Sequence, residues 1–294
     1  MSSTESSAGS STPEDGGTPP FRPGRAQPFP PASPLQPAYR GPEFEEATAE
    51  GLPLDPLVHS DPYRPHLFYR VVFALVRWIV FHLFQTEVEG RENIPRPPFI
   101  IASNHQAWYD TAFIVSAFPK RPVIYTMARR DTVFNSRWKR WLVPKFGVFP
   151  IQPAQGELDA RGIATVYQLL HRGAVVLLFP EGRYSRGRAL RPLKKGVAHF
   201  ALQAGVPICP VAVEGLEKLR PFMRVTVHIG PPILPDPPAW WDLNRRVQRM
   251  LDGVRTSILR AFGRERERRP GRWRNLLRGL VPGRRSRDLS SRSP

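Results

Sequence analysis

Short apolar runs alternate with helical patterns from about residue 98 to residue 230. The apolar runs are FIIAS, PVIYTMA, AVVLLF, VPICPVAV and RVTVHIG, each typical of a buried strand. The helical patterns between them are YDTAFIVSAF, ELDARGIATVYQLLHRG and PLKKGVAHFALQAG, of which the last two end on a glycine suited to a helix C-cap. Strands that alternate with helices predict an α/β fold with a mixed, largely parallel central sheet flanked by helices.

Two loops that follow predicted strands carry polar side chains. The loop NHQAWYD comes after FIIAS, and the loop PEGRYS comes after AVVLLF. Ligands of such sheets bind beyond the carboxyl ends of the strands. If both strands run parallel, we expect one cleft to contain four polar side chains: His105, Asp110, Glu181 and Arg183.

His105 and Asp110 are too far apart in sequence to meet on one face of a regular helix, where they would point about 140° apart. They can meet if His105 lies in the loop and Asp110 in the first turn of the next helix. The carboxylate would then fix the imidazole tautomer and leave the other ring nitrogen free as a general base. No nearby Ser or Cys has the setting of a nucleophile, so direct transfer to a bound hydroxyl is the simpler scheme. Spacing alone also fits a structural pair, and the strand-end position favours the catalytic interpretation. Trp108 and Tyr109 are expected in the core.

The first 62 residues contain 13 of the 35 prolines, and they carry nine acidic residues against three arginines. They show no apolar periodicity, so residues 1–62 are predicted to be a disordered acidic arm. The whole chain has a formal charge of +18, and residues 263–294 form a basic tail with eleven arginines and three acids. This surplus predicts a negatively charged partner: nucleic acid, an anionic membrane surface or a phosphorylated substrate.

The segment LFYRVVFALVRWIVFHLF, residues 67–84, is apolar but contains Arg70 and Arg77. These arginines are seven residues apart and lie on nearly one helical face. We therefore predict an N-terminal amphipathic membrane-interface helix within residues 63–87, followed by a catalytic domain at 88–262. A helix inside a soluble domain is the alternative, and a spanning helix is less favoured because charges in hydrocarbon are costly.

The single cysteine, Cys209, excludes an intrachain disulfide and a Cys-based zinc site. It lies in an apolar run and is expected to be a buried strand residue. No cluster of metal ligands stands out in the sequence.

Four blocks of the sequence match one family in order. NHQAWYD resembles the N-H-x-x-x-x-D motif of glycerolipid acyltransferases, the PlsC-like lysophosphatidic acid acyltransferases. FPEGRYS and the following LRPLKKG are similar to the F-P-E-G-T-R-S block and its basic stretch. VPICPVAV resembles the fourth block, and GVFPIQP stands where a G-x-x-x-x-x-R block belongs. The resemblance covers about residues 88–235.

The resemblance implies that His105 is the general base and that Asp110 orients it. It implies a glycerolipid O-acyltransferase that takes a fatty acyl group from acyl-CoA or acyl carrier protein and needs no metal or other cofactor. The acceptor would be a lysophospholipid, with lysophosphatidic acid giving phosphatidic acid. The expected location is the cytoplasmic face of a bacterial inner membrane, with nucleic acid not expected as a partner. The residues expected to bind substrate are Asn104, Glu181, Gly182, Arg183, Ser185, Lys194 and Lys195.

The sequence departs from the family pattern at two places. Pro153 replaces the arginine that ends the second block, and Arg183-Tyr184 replaces Thr-Arg in the third. Binding of phosphate by arginine depends on position. Three alternatives remain open. Other cations could bind the phosphate: Arg183, Arg186, Arg188, Lys194 and Lys195. The acceptor could instead be another lysolipid, such as an amino-acid lipid, or the protein could be a non-catalytic binder of lipid or nucleic acid.

Overall fold

A seven-stranded sheet forms the centre of the described part of the chain. This computed structural model describes residues 61–152, 160–185, 190–217, 219–235 and 242–268, with only the backbone for 264–268. The strands are β1 (Gln85–Glu89), β2 (Phe99–Ser103), β3 (Ile124–Arg129), β4 (Val148–Ile151), β5 (Val175–Leu178), β6 (Ile208–Glu214) and β7 (Arg224–Ile229). Their order is β1-β7-β6-β2-β5-β3-β4, and every neighbouring pair is parallel except β6 with β7. The predicted mixed, largely parallel α/β sheet is therefore confirmed.

Five strands coincide with the apolar runs, whereas β1 and β4 are absent from the sequence prediction. These two strands stand at the two ends of the strand order. The β1 sequence QTEVE is mostly polar, and its side chains are only partly buried. The β4 sequence VFPI is short and contains Pro150, which an edge strand tolerates because one side of it needs no ladder hydrogen bonds. Their position at the edges of the sheet explains why the apolar pattern of the sequence does not reveal these two strands.

Helices cover both faces of the sheet. Within the described residues they are α1 (Leu67–His82), α2 (Asp110–Ala117), α3 (Arg130–Val133), α4 (Arg137–Leu142), α5 (Ala160–His171), α6 (Gly196–Ala204) and α7 (Leu243–Arg268). Gly173 and Gly205 have left-handed φ angles of 77° and 64°, so the predicted glycine caps of α5 and α6 are confirmed. Helix α6 begins later than its sequence pattern, at Gly196.

Alternate side chains of the inner strands enter two separate cores. On one face Ile100 and Val176 pack with residues of α5, α6 and α7, including Leu169, Phe200 and Val254. On the other face the neighbouring strand residues pack with α1 and α2, and they include Ile101, Leu177, Val211 and Cys209. Because both faces are covered, the inner strands read as continuous apolar runs. Burial raises the pKa of the Cys209 thiol to about 12, as expected for a buried strand cysteine.

Helix α1 differs from the amphipathic pattern inferred from its arginines. Arg77 does not lie on a polar face; its guanidinium donates to the carbonyl oxygens of Ser116 and Phe118 at the end of α2, at 2.5 and 3.3 Å. These carbonyls have no helical partner and carry partial negative charge, so a cation stabilises them. Arg70 is exposed, as the amphipathic pattern predicts, but most of the outward face of α1 is apolar and exposes Leu67, Val71, Leu75 and Trp78. Among the described helices, none combines the length and the apolar character that a membrane span requires.

Several sequence predictions fall outside the described residues. They concern nearly all of the arm 1–62, the tail from residue 269 onward, Pro153, Arg186 and Arg188.

The predicted bounds of the membrane helix, 63–87, are too wide at their end. Strand β1 begins at Gln85, within the segment 63–87 that the sequence assigned to the membrane helix.

Candidate active site

The two polar loops meet at one edge of the sheet. Strands β2 and β5 are parallel neighbours, with Ala102 opposite Leu178, so both release their loops at the same edge. The backbone N–H of Ser185 donates to the carbonyl oxygen of His105 at 2.7 Å, and the Ser185 hydroxyl donates to the same oxygen at 3.1 Å. The convergence expected from a parallel pair of strands is therefore present.

His105 and Asp110 form the expected pair across the junction of loop and helix. Asp110 is the first residue of α2 and is buried, and its Oδ2 lies 3.0 Å from Nδ1 of His105. The same oxygen accepts the backbone N–H groups of Gln106 and Ala107 at 2.6 and 2.9 Å. An ionised carboxylate can only accept hydrogen bonds, so Nδ1 is the nitrogen that donates to Oδ2, and Nε2 is the nitrogen left to act as a base. The contact with Asp110 therefore fixes the orientation of the imidazole ring and its Nδ1–H tautomer.

Two aromatic rings flank the imidazole. The Phe179 ring stacks on it, with centroids 3.8 Å apart and planes 15° from parallel, and the Tyr184 ring lies 4.4 Å away at 55°. Burial, and next the charge of Asp110, raise the pKa of Tyr184, so its hydroxyl stays protonated near neutral pH. The sequence interpretation assigned no role to either ring. Their positions, directly after β5 and inside PEGRYS, are the signal that could have found them.

Asn104 anchors the end of β2 to β6. Its amide nitrogen donates to the carbonyl oxygen of Val213 at 3.0 Å, and its amide oxygen accepts the Val213 N–H at 2.8 Å. The side chain is buried and imitates a strand partner for the β6 backbone. Contact of these amide atoms with a substrate would require both bonds to break, so the geometry supports a positioning role for Asn104.

Glu181 joins three parts of the site. One oxygen accepts the backbone N–H of His105 at 3.0 Å and lies 3.4 Å from the Ser185 hydroxyl. The other oxygen accepts the backbone N–H of Arg191 at 2.8 Å. The carboxylate is buried, and these donors offset the cost of removing its charge from water. Glu181 therefore holds the His105 loop against the segment that precedes α6.

We call the hydrogen bonds of Glu181 to His105 and Arg191 the clasp. Beside the clasp, four of the predicted substrate-binding residues are exposed and form a rim, and three of these residues are cationic. They are Gly182, Arg183, Lys194 and Lys195. Gly182 has a φ of 70°, and a Cβ atom there would lie 2.7 Å from Cε of Lys194. Lys194 thus crosses directly over the glycine, and its backbone N–H donates to the Pro180 carbonyl at 2.8 Å. A phosphate or carboxylate at this rim would meet positive charge.

Trp108 and Tyr109 behave differently from each other. The core prediction is wrong for Trp108, whose side chain is 77% exposed. Tyr109 is partly buried, and its hydroxyl donates to the Leu216 carbonyl at 2.8 Å, which ties the loop to the connection after β6. Within the described ranges, no group of three or more His, Cys, Asp or Glu side chains is placed to hold a metal ion.

The chain is similar in sequence to known acyltransferases. Residues 85–214 match the model of the Acyltransferase family. A chloroplastic 1-acyl-sn-glycerol-3-phosphate acyltransferase of Brassica napus is 26% identical over 163 residues, which are 55% of this chain and 46% of that protein. A lyso-ornithine lipid O-acyltransferase of Pseudomonas aeruginosa is 32% identical over 145 residues, 47% of this chain and 53% of that protein. The chain thus spans about half the length of these curated relatives.

Solved structures are also similar to this chain, and one of them is an acyltransferase. It is the 1-acyl-sn-glycerophosphate acyltransferase PlsC of Thermotoga maritima, at 22% sequence identity and a TM-score of 0.48. The match covers 64% of this chain and 80% of that protein.

Proposed function

We propose that the protein moves a fatty acyl group from an acyl thioester to the free hydroxyl of a lysophospholipid, since residues 85–214 match the model of the Acyltransferase family. The observation that carries the proposal is the His105–Asp110 pair, 3.0 Å apart at the carboxyl edge of parallel strands. A neutral imidazole held by a buried carboxylate is suited to general-base chemistry.

In the proposed reaction, Nε2 of His105 takes the proton of the acceptor hydroxyl. The hydroxyl oxygen then attacks the thioester carbonyl, a C–O bond forms, and the C–S bond breaks. The proton passes from His105 to the departing thiol, which leaves as free CoA or acyl carrier protein. Asp110 keeps the imidazole in its reactive tautomer and stabilises the imidazolium that forms during the step.

For the acceptor we favour lysophosphatidic acid, which would give phosphatidic acid. The exposed cations Arg183, Lys194 and Lys195 suit a phosphate at the rim. An amino-acid lysolipid is the second candidate, because Tyr184 stands where the family pattern has the arginine of its third block. The ring that lies beside the base is therefore uncharged, where the pattern would place a cation that could bind a phosphate. The Pseudomonas aeruginosa relative is named for a lyso-ornithine lipid acceptor.

We further propose that α1 lies in the interface of a membrane, on its cytoplasmic face. The support is the exposed apolar stripe Leu67, Val71, Leu75 and Trp78. Exposed apolar patches of this kind mark protein or membrane contacts, and an acyltransferase acting on lysolipids must reach lipid.

The experiment is an acyl-transfer assay with acyl-CoA and acyl carrier protein as separate donors. The acceptors are lysophosphatidic acid, lyso-ornithine lipid and lysophosphatidylcholine in mixed micelles. We expect one acceptor to give a product that the His105→Ala variant does not form. The absence of a His105-dependent product with every donor and acceptor would overturn the enzymatic proposal and favour the non-catalytic alternative.

A further inference from the structure

Two tryptophans of α4 lie on the surface. Trp138 is 62% exposed and Trp141 is 65% exposed. Tryptophan is mostly buried in folded proteins, so two exposed rings on one short helix require an explanation. Neither ring contacts the candidate active site in the geometry described above.

Trp141 of α4 is linked through Lys145 to Phe68 in the first turn of α1. Lys145, in the 3-10 turn that follows α4, places its ammonium 3.4 Å from the centre of the Trp141 ring and 5.7 Å from that of Phe68. The Phe68 ring in turn lies 5.8 Å from the Phe146 ring. One lysine therefore connects α4 with α1 by cation–π contacts.

The charge around these rings is strongly positive. Residues 129–145 contain six basic residues and one acid, Asp131. Asp131 already pairs with Arg129, at 2.5 Å. Arg137 and Arg140 are exposed beside the tryptophans, and the ammonium of Lys139 lies 5.7 Å from the centre of the Trp138 ring. Indole rings among cations suit the headgroup level of an anionic bilayer.

We propose that α4 is a second membrane-docking element, and that it forms one surface with the outer face of α1 that binds an anionic lipid bilayer. This docking surface consists of Leu67, Phe68, Val71, Leu75, Trp78, Arg137, Trp138, Arg140, Trp141 and Lys145. The aliphatic side chains of α1 select lipid over nucleic acid, which would use the cations and rings but leave the aliphatic stripe in water. The basic residues of α4 select anionic lipid over a neutral surface.

The inference rests on the proposed function for its purpose, since an acyltransferase that acts on lysolipids must reach a bilayer. Helix α4 lies in the crossover between the parallel strands β3 and β4. Because β3 is parallel to β5 and β5 to β2, this crossover leaves the sheet at the edge where His105 lies and returns to the opposite edge, where β4 begins.

The first experiment uses the full chain and vesicles of phosphatidylcholine with or without phosphatidylglycerol. In Arg137→Gln/Arg140→Gln, we expect the partition coefficient on anionic vesicles to fall about fivefold per arginine, since each cation near such a surface contributes roughly 1 kcal/mol. Binding to neutral vesicles should stay unchanged. Trp138→Ala/Trp141→Ala should reduce binding to both kinds of vesicle. The matched control is Arg255→Gln/Arg260→Gln, two exposed arginines of α7, outside the docking surface.

The second experiment measures insertion of the two rings directly. Brominated phosphatidylcholine in anionic vesicles should quench tryptophan fluorescence in the unchanged chain, and Trp138→Phe/Trp141→Phe should lose a distinct part of that quenching. Equal quenching in both proteins would overturn the proposal. Preferential binding to a single-stranded oligonucleotide through Trp138 and Trp141 would also overturn it and assign the surface to nucleic acid.

Failure of the docking proposal is distinguishable from failure of the proposed function. The tryptophan variants should retain acyl transfer to an acceptor presented in detergent micelles, whereas His105→Ala should lose that activity and still bind vesicles.

Discussion

The loop after β2 and the loop after β5 lie side by side but are built differently. In the first, the amide atoms of Asn104 and the Oδ2 atom of Asp110 are buried and bonded within the protein. In the second, Glu181 and Ser185 are buried, while the residues between them are exposed. The first loop is thus built for a fixed geometry of the base. The second both clasps the first and presents a charged rim to the outside.

Asp110→Asn, in the first loop, should cause the largest loss of kcat among these variants. The amide retains the shape of the carboxylate but loses the charge that fixes the Nδ1–H tautomer, and in a serine-protease triad the equivalent change lowers kcat about 10⁴-fold. We expect a loss of kcat of about that size, measured with the acceptor identified in the assay above. The double variant with His105→Ala should be scarcely worse than His105→Ala alone, because the two residues act as a unit. Multiplicative losses would contradict a coupled pair.

Glu181→Gln tests the clasp between the loops. The carboxylate accepts backbone N–H groups at both oxygens, and the amide would turn its NH₂ group toward one of these donors. Leaving a buried donor unsatisfied costs about 1–3 kcal/mol, so we expect the free energy of unfolding to fall by that amount. We also expect kcat to fall more than KM rises, because the His105 backbone loses its support.

The control for Glu181 is Glu217→Gln, since Glu217 is an exposed glutamate. Glu181→Asp, with a shorter reach, should be intermediate in stability and in kcat. An increase in acceptor KM with unchanged kcat and stability would instead make Glu181 a substrate ligand, as the family resemblance implies.

These contrasts show what the sequence could and could not predict. Apolar runs reveal strands that are covered on both faces, which is why FIIAS and AVVLLF were located and the edge strands β1 and β4 were not. The His105–Asp110 contact was predictable because it depends on local spacing across a strand end. The partners of Asn104 and Glu181 were not predictable, since Val213 and Arg191 are brought there by the sheet and by the path of the chain after β5. Residue type alone cannot distinguish a carboxylate that binds substrate from one that holds a backbone.

Gly182→Ala changes the residue that lies between the buried Glu181 and the exposed Arg183. A φ of 70° is left-handed, and the added methyl group would lie 2.7 Å from Cε of Lys194. Left-handed backbone costs a non-glycine residue about 1–2 kcal/mol, so we expect the free energy of unfolding to fall by that amount. Acceptor KM should rise as Lys194 moves aside, since its flexible end can yield.

The matched control is Gly263→Ala on α7, where an added Cβ meets nothing within 4 Å. Alanine is favoured over glycine in a helix, so this variant should gain up to about 1 kcal/mol in unfolding free energy. Chemical denaturation of both variants measures the two opposite changes. A neutral Gly182→Ala would show that the loop relaxes to another backbone conformation.

Arg183→Gln should have the smallest effect, because its side chain is exposed on the rim. Charge pairs in exposed positions contribute up to about 1 kcal/mol, which corresponds to an increase in acceptor KM of roughly fivefold or less. The increase should shrink at high salt, since exposed charges are screened, and kcat and stability should stay unchanged. Steady-state kinetics with lysophosphatidic acid and lyso-ornithine lipid at low and high ionic strength measures this. If the variant loses kcat as strongly as Asp110→Asn, the rim residue Arg183 acts in the chemical step as the first loop does. The proposed difference between the two loops would then be wrong.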